Sequence, residues 1–193
     1  STGYQEASGL KIYFALDSSE SSSIRKRPDL ILVPYDVEFT VNECGDTVVF
    51  LNDHVSPDEN SYFKIVQGED SISTLLPIDE TQARAKVGNW NSYFQQFVNN
   101  GFGNVYSYSF SKSAINQFLE VSENHFLLIL FGLHSVSPND PTFYFPPSED
   151  EYPINGHLVL SLILGGRDPS VTKFMDFSSP CPRYCGKTDL WIE

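Results

Sequence analysis

The sequence predicts an α+β fold: a mostly antiparallel β-sheet or sandwich with two helices packed on one side. Three observations carry this expectation. The first third alternates short β-branched and aromatic runs with turn residues. Two stretches further on space their apolar residues by three and four. Two strongly apolar segments then follow, HFLLILFGLHSV (125–136) and HLVLSLIL (157–164). Both are far shorter than the roughly 20 residues a membrane-crossing helix needs, so no transmembrane segment is expected.

The elements are justified in order. Residues 1–9 read as a loose polar leader, and 10–193 as one globular domain, since 193 residues suit a single well-buried core. Within that domain, 10–77 form a β-meander part, 78–186 an α+β part and 187–193 a tail. LKIYFAL (10–16) is an aromatic, β-prone strand, and DSSESSSIRKRPD (17–29) a solvated loop with the one basic cluster, Arg25-Lys26-Arg27. LILVPYDVEFTV (30–41) is a strand pair or one long strand interrupted by Pro34, because proline cannot donate to a ladder. NECGD (42–46) supplies turn residues before the strand TVVFLN (47–52), so a hairpin is expected there. After the turn-rich DHVSPDENS comes another strand, YFKIVQ (62–67).

At residue 79 the period lengthens. Asp79 and Gln82 have the spacing of a capping box, and Ala83, Val87, Trp90, Phe94, Phe97 and Val98 mark one helical stripe. Gly88 is a candidate break or kink, and Gly101 a stop. NVYSYSF (104–110) alternates as a strand. Ser111 then caps a second helix whose apolar side holds Ala114, Ile115, Phe118 and Leu119. The two apolar segments are expected to be central strands covered on both faces. Between them runs SPNDPTFYFPPSEDEYPING, with five prolines, and after them a short strand, VTKFMDF (171–177), and the cysteine tail.

The order NWNSYFQQF, FSKSAINQFL, HLVLSLILGG and the terminal PCPRYC resembles a group of uncharacterised small proteins of Bacteroidetes-type bacteria that end in P-C-P-x-x-C. The resemblance spans roughly residues 75–186. It implies a bacterial, envelope-associated protein and no catalytic residue.

Composition narrows function further. A net charge of −13, from 25 acidic and 12 basic residues, opposes approach to phosphate backbones, so no nucleic-acid partner is expected. Abundant Ser, Asn, Tyr and Phe with few Lys and Arg fit an extracytoplasmic protein, secreted or held in the cell envelope. Cys181 and Cys185 enclose three residues, whereas thiolate zinc pairs and thioredoxin-like redox motifs typically enclose two. A structural disulfide is the expected role, joining Cys181 to Cys185 or tying one of them to Cys44. Neither a G-x-S-x-G elbow nor a phosphate-cradling G-x-x-x-x-G-K-[ST] loop occurs.

Two functions of different class follow. The first is a non-catalytic binding or structural module with no cofactor. It recognises a protein or carbohydrate through the 137–156 loop, where Phe143, Tyr144, Phe145 and Tyr152 present rings beside Glu149, Asp150 and Glu151. The second is a metal-dependent or carboxylate-based hydrolase. It would use His125 and His157 at the starts of the apolar strands with the acidic loop, or Asp53 and His54, to hold zinc or calcium.

Overall fold

A computed structural model of the chain describes residues 6–17, 28–54, 61–67, 73–98, 102–103, 106–121, 127–135, 158–167, 172–175 and 179–181. Within them the fold is α+β and mostly antiparallel, with helices α1 (Glu80–Val98) and α2 (Lys112–Val121). The first sheet contains β1 (Gly9–Ala15), β2 (Asp29–Val41), β3 (Thr47–Asp53), β4 (Tyr62–Gln67) and β5 (Ser73–Ile78) from the N-terminal part. β7 (Ser107–Ser111) and β11 (Ser179–Cys181) complete it, in the order β11-β7-β1-β2-β4-β5 with β3 paired to β2. The second sheet is built on β9 (Leu158–Arg167), flanked by β8 (Leu127–Ser135) on one edge. β10 (Thr172–Met175) and the two-residue β6 (Phe102–Gly103) share the other edge, β6 in parallel.

β2 is one long strand, and Pro34 sits where it changes partner. On one edge β4 pairs with Ile31 and Leu32, and β3 takes over from Tyr35 to Val41. The Pro34 carbonyl accepts the His54 amide on that same edge at 2.8 Å. A strand residue points its N–H and C=O to the same side. The missing proline N–H therefore falls at the very end of the β3 ladder, opposite His54, where it costs at most the reciprocal bond of that one pair.

β1 is the axis of the core. Side chains of alternate residues enter two clusters. Ile12, Phe14 and Leu16 join Leu30, Leu32, Tyr108 and Phe110 against Trp90, Phe94, Ile115 and Leu162. Tyr13 and Ala15 join Ile31, Val33, Tyr62 and Ile78 against Ala83 and Val87. The α1 stripe reaches both clusters because the helix crosses the end of β1, where the Leu16 amide donates to the Lys86 carbonyl at 2.9 Å. Gly9, at the other end of β1, has no room for a side chain: a Cβ there would clash with the Phe110 carbonyl oxygen and the Tyr35 ring.

Ser111 caps α2 as the sequence predicts, and at α1 the Asp79 half of the expected capping box forms. Asp79 Oδ1 accepts the Gln82 amide at 2.7 Å, and Ser111 Oγ accepts the Ala114 amide at 3.2 Å. The side chains of Phe97, Val98, Phe118 and Leu119 lie outside the described part. Gly88 neither breaks nor ends α1, and a Cβ there meets nothing within 4 Å. Gly88→Ala is therefore expected to stabilise by about 0.5–1 kcal/mol, since alanine restricts the unfolded chain and suits a helix interior. Urea denaturation checks this: the midpoint should rise at constant slope, and a fall would mean that the helix needs glycine there.

The second sheet meets the first through Leu162, with Ile129 packed on the same cluster and the Phe131 ring 6.2 Å from that of Phe14. Of the two apolar segments only β9 has strand neighbours on both edges among the described residues; β8 has one. The cysteine tail contributes β11, which pairs with β7 through Ser179↔Ser109 and Cys181↔Ser107. Backbone pairing thus ties the C-terminal region to one edge of the first sheet, beside β7. No helix among the described residues is long and apolar enough to cross a membrane.

Candidate functional site

Among the described residues three places gather side chains with chemistry: a buried polar cluster, an open cleft and a projecting hairpin. The cluster begins with a lysine in an otherwise apolar strand. Lys11 is fully buried, its Nζ 3.0 Å from Asp53 Oδ1 and 2.5 Å from the Leu51 carbonyl oxygen, to which it donates. The Tyr13 hydroxyl reaches the same carboxylate, 2.8 Å from Oδ1 and 2.9 Å from Oδ2, and the ammonium lies 5.6 Å from the Tyr13 ring centre. Across the β1–β7 ladder Ser109 is paired with Lys11 and Ser107 with Tyr13. Both hydroxyls are buried with no hydrogen-bond partner among the described residues. Serine beside lysine is a combination used for nucleophilic catalysis. Here the ammonium is engaged by Asp53 and Leu51, and the groups are closed off from solvent, so the cluster orders strands and is not open to a substrate.

The cleft, about 400 Å³, opens between α1 and the β4–β5 hairpin. Its apolar wall is Val66, Leu76 and Ile78. On its rim Asp17 binds Lys86 at 2.9 Å and Lys64 at 3.1 Å, and Lys64 also binds Asp29 at 2.7 Å. Hydrogen bonds from Lys86 and then Lys64 hold the Asp17 carboxyl below its ordinary pKa, against an opposing effect of burial. For Lys64 burial is the largest single influence and lowers the pKa. The hydrogen bonds and charges of Asp29 and Asp17 outweigh it together, so the ammonium is raised. Lys64 is thus a firm cation at neutral pH and no nucleophile or base. Two ammonium groups and two carboxylates neutralise one another around an apolar wall.

The hairpin β2–β3 extends beyond β1. Its turn is held by Asn42, whose Oδ1 accepts the Cys44 amide at 3.0 Å and the Asp46 amide at 2.8 Å. Gly45 takes a left-handed φ of 86°, which glycine adopts without steric cost. Along the arm one face carries Val37, Phe39 and Val41, and the other Asp36, Glu38 and Thr40. Phe39 is 68% exposed and Val41 71%. Glu38 accepts from Asn52 Nδ2 at 2.7 Å, and the Asp36 carboxylate contacts His54 Nδ1. No lysine or arginine occurs between Arg27 and Lys64.

The residues singled out from sequence fall in different places. Phe143, Tyr144, Phe145, Glu149, Asp150, Glu151 and Tyr152 lie outside the described residues, as do His125, His157 and Cys185. Asp53 and His54 are adjacent in sequence but turn to different partners, Lys11 and Tyr13 for the first and Asp36 for the second. Among the described residues no three His, Cys, Asp or Glu side chains converge as metal ligands. Cys44 is an exposed, free thiol on the arm's turn, so it is not tied to the tail. Cys181 ends β11.

Sequence reasoning passed over Lys11, Lys64, Lys86, Phe39 and Val41. One signal was present: a lysine inside LKIYFAL needs a carboxylate if the strand is covered on both faces, because a buried charge must be paired. No family model matches the chain, and no curated protein or solved structure proves similar to it.

Proposed function

We propose that the protein is a non-catalytic binding module, exported or envelope-associated, whose contact surface is the β2–β3 arm. The observation that carries this reading is the exposure of Phe39 and Val41 side by side on one face of a projecting hairpin. A two-stranded ribbon with one apolar face gains stability when something covers that face. The arm is held out by a rigid turn and anchored at its base by Asp53, so it presents its face without a large ordering cost. Composition supports a location outside the cytoplasm, and the backbone-rich, apolar character of the arm favours a polypeptide ligand over a sugar.

Selection from a random peptide display library tests the reading, with wild-type protein as bait and the Phe39→Ser/Val41→Ser double variant as counter-bait. Enriched peptides should bind the wild type and lose about tenfold or more in affinity for the variant, a difference of about 1.4 kcal/mol. Peptides that bind both proteins equally would place the contact surface elsewhere.

A further inference from the structure

β2 outruns its neighbour on one edge only. β1 follows it as far as the Gly9–Tyr35 pair, while β3 covers the opposite edge from Tyr35 to Val41. The Tyr35 carbonyl accepts the Ser8 amide on the β1 side, and the Pro34 carbonyl accepts the His54 amide on the β3 side, both at 2.8 Å. By the alternation of a strand, the N–H and C=O groups of Val37, Phe39 and Val41 point to the β1 side. Among the described residues nothing pairs with them there.

The outer edge of β3 also lacks a strand partner among the described residues, but residues 47–52 hold no carboxylate to draw a cationic strand. The terminal strands β5 and β11 carry Pro77 and Pro180, and proline is a common device against further pairing. Asp36–Val41 contains none. Its side chains alternate instead, acidic or polar on one face and apolar on the other.

We infer that this edge takes up an extended peptide by strand addition, and that the peptide alternates basic and apolar residues. The inference rests on the arm being the contact surface and adds the mode of binding and the chemistry of the partner. The incoming strand continues the lane of β1. Its apolar side chains lie beside Val37, Phe39 and Val41, and its lysines or arginines beside Asp36 and Glu38, as favourable cross-strand pairs. Charge selects this occupant, since the arm holds Asp36, Glu38, Glu43 and Asp46 without a lysine or arginine. A second copy brings the same carboxylates and a net charge of −13, and is repelled.

The test is amide exchange by NMR on the whole protein, with acetyl-Lys-Val-Lys-Val-Lys-Val-Lys-amide as probe. The amides of Val37, Phe39 and Val41 should exchange freely without the peptide and slow by about tenfold or more when it is bound, the open fraction falling with occupancy. The same residues with the lysines grouped together, and the probe N-methylated at every second amide in either register, should each bind about tenfold more weakly. Phe39→Pro removes an amide that the β2–β3 ladder does not use and should abolish protection. The N-methylated probes ask the same question without altering the protein.

Three results would overturn the inference. Amides already protected without peptide would mean that the chain itself, or a second copy, covers the edge. Equal binding of the grouped peptide would reduce the effect to charge attraction. Display-selected peptides that need Phe39 and Val41 but leave these amides unprotected would keep the arm as the contact surface and refute strand addition.

Discussion

Asp53→Ala is expected to destabilise the protein by about 3–5 kcal/mol, because it leaves the Lys11 ammonium buried without its carboxylate. The Tyr13 hydroxyl loses the same acceptor, which makes the loss larger than that of a lone ion pair. The double variant Lys11→Met/Asp53→Leu should recover the part of the loss that comes from the unpaired ammonium, since two apolar side chains need no partner, while the Tyr13 hydroxyl still lacks this acceptor. Urea unfolding followed by circular dichroism supplies all three values, and a single-variant loss below about 1 kcal/mol would show that water reaches the cluster.

The position of this pair explains why it matters to the arm. Lys11 and Tyr13 belong to β1 and Asp53 to β3, strands that pair with opposite edges of β2 and share no ladder. The contact crosses over β2 and fixes the base of the hairpin against the centre of the sheet. Asp53→Ala should therefore loosen the arm beyond its effect on global stability, seen as faster exchange of the β3 amides. The double variant should restore global stability more fully than it restores the arm, because an apolar contact lacks the directionality of the hydrogen bonds it replaces.

What was legible in the chain was local. Asp79, Ser111 and the Asn42–Asp46 turn act through bonds within four residues, so their residue types declare them. β1, β3 and β4 show the expected strand composition. β5 escaped because Leu75 and Leu76 are adjacent and Pro77 follows, so neither alternation nor propensity marks a strand; pairing with β4 decides it. Asp53 looked like part of a turn-rich loop, since nothing nearby announces a partner forty positions away in the chain. The stretch of β2 edge without a partner among the described residues is invisible for a deeper reason: it depends on where β1 stops relative to β2, which is a property of register. Cysteines are the conspicuous residues of the tail, yet its described tie to the sheet is made by the backbone of Ser179–Cys181.

The second large effect belongs to Phe14. Its ring, 1% exposed, lies 5.6 Å from Trp90 of α1, 6.2 Å and edge-on from Tyr108 of β7, and 6.2 Å from Phe131 of β8. One side chain thus touches both sheets and the long helix. Phe14→Ala removes that volume where three elements meet and is expected to cost about 3–5 kcal/mol. Aromatic pairs add about 0.5–1.5 kcal/mol each beyond the area they bury, which favours the upper part of that range. Phe14→Leu should cost clearly less, because it keeps apolar volume at the junction and forfeits chiefly the ring contacts. Native-state hydrogen exchange then separates two consequences. If Phe14 couples the sheets into one cooperative unit, the slowest amides of β1–β2 and of β8–β9 should lose protection by equal free energies in Phe14→Ala. Loss confined to β8–β9 would show that the second sheet opens on its own and that the first, with the arm it carries, stands without it.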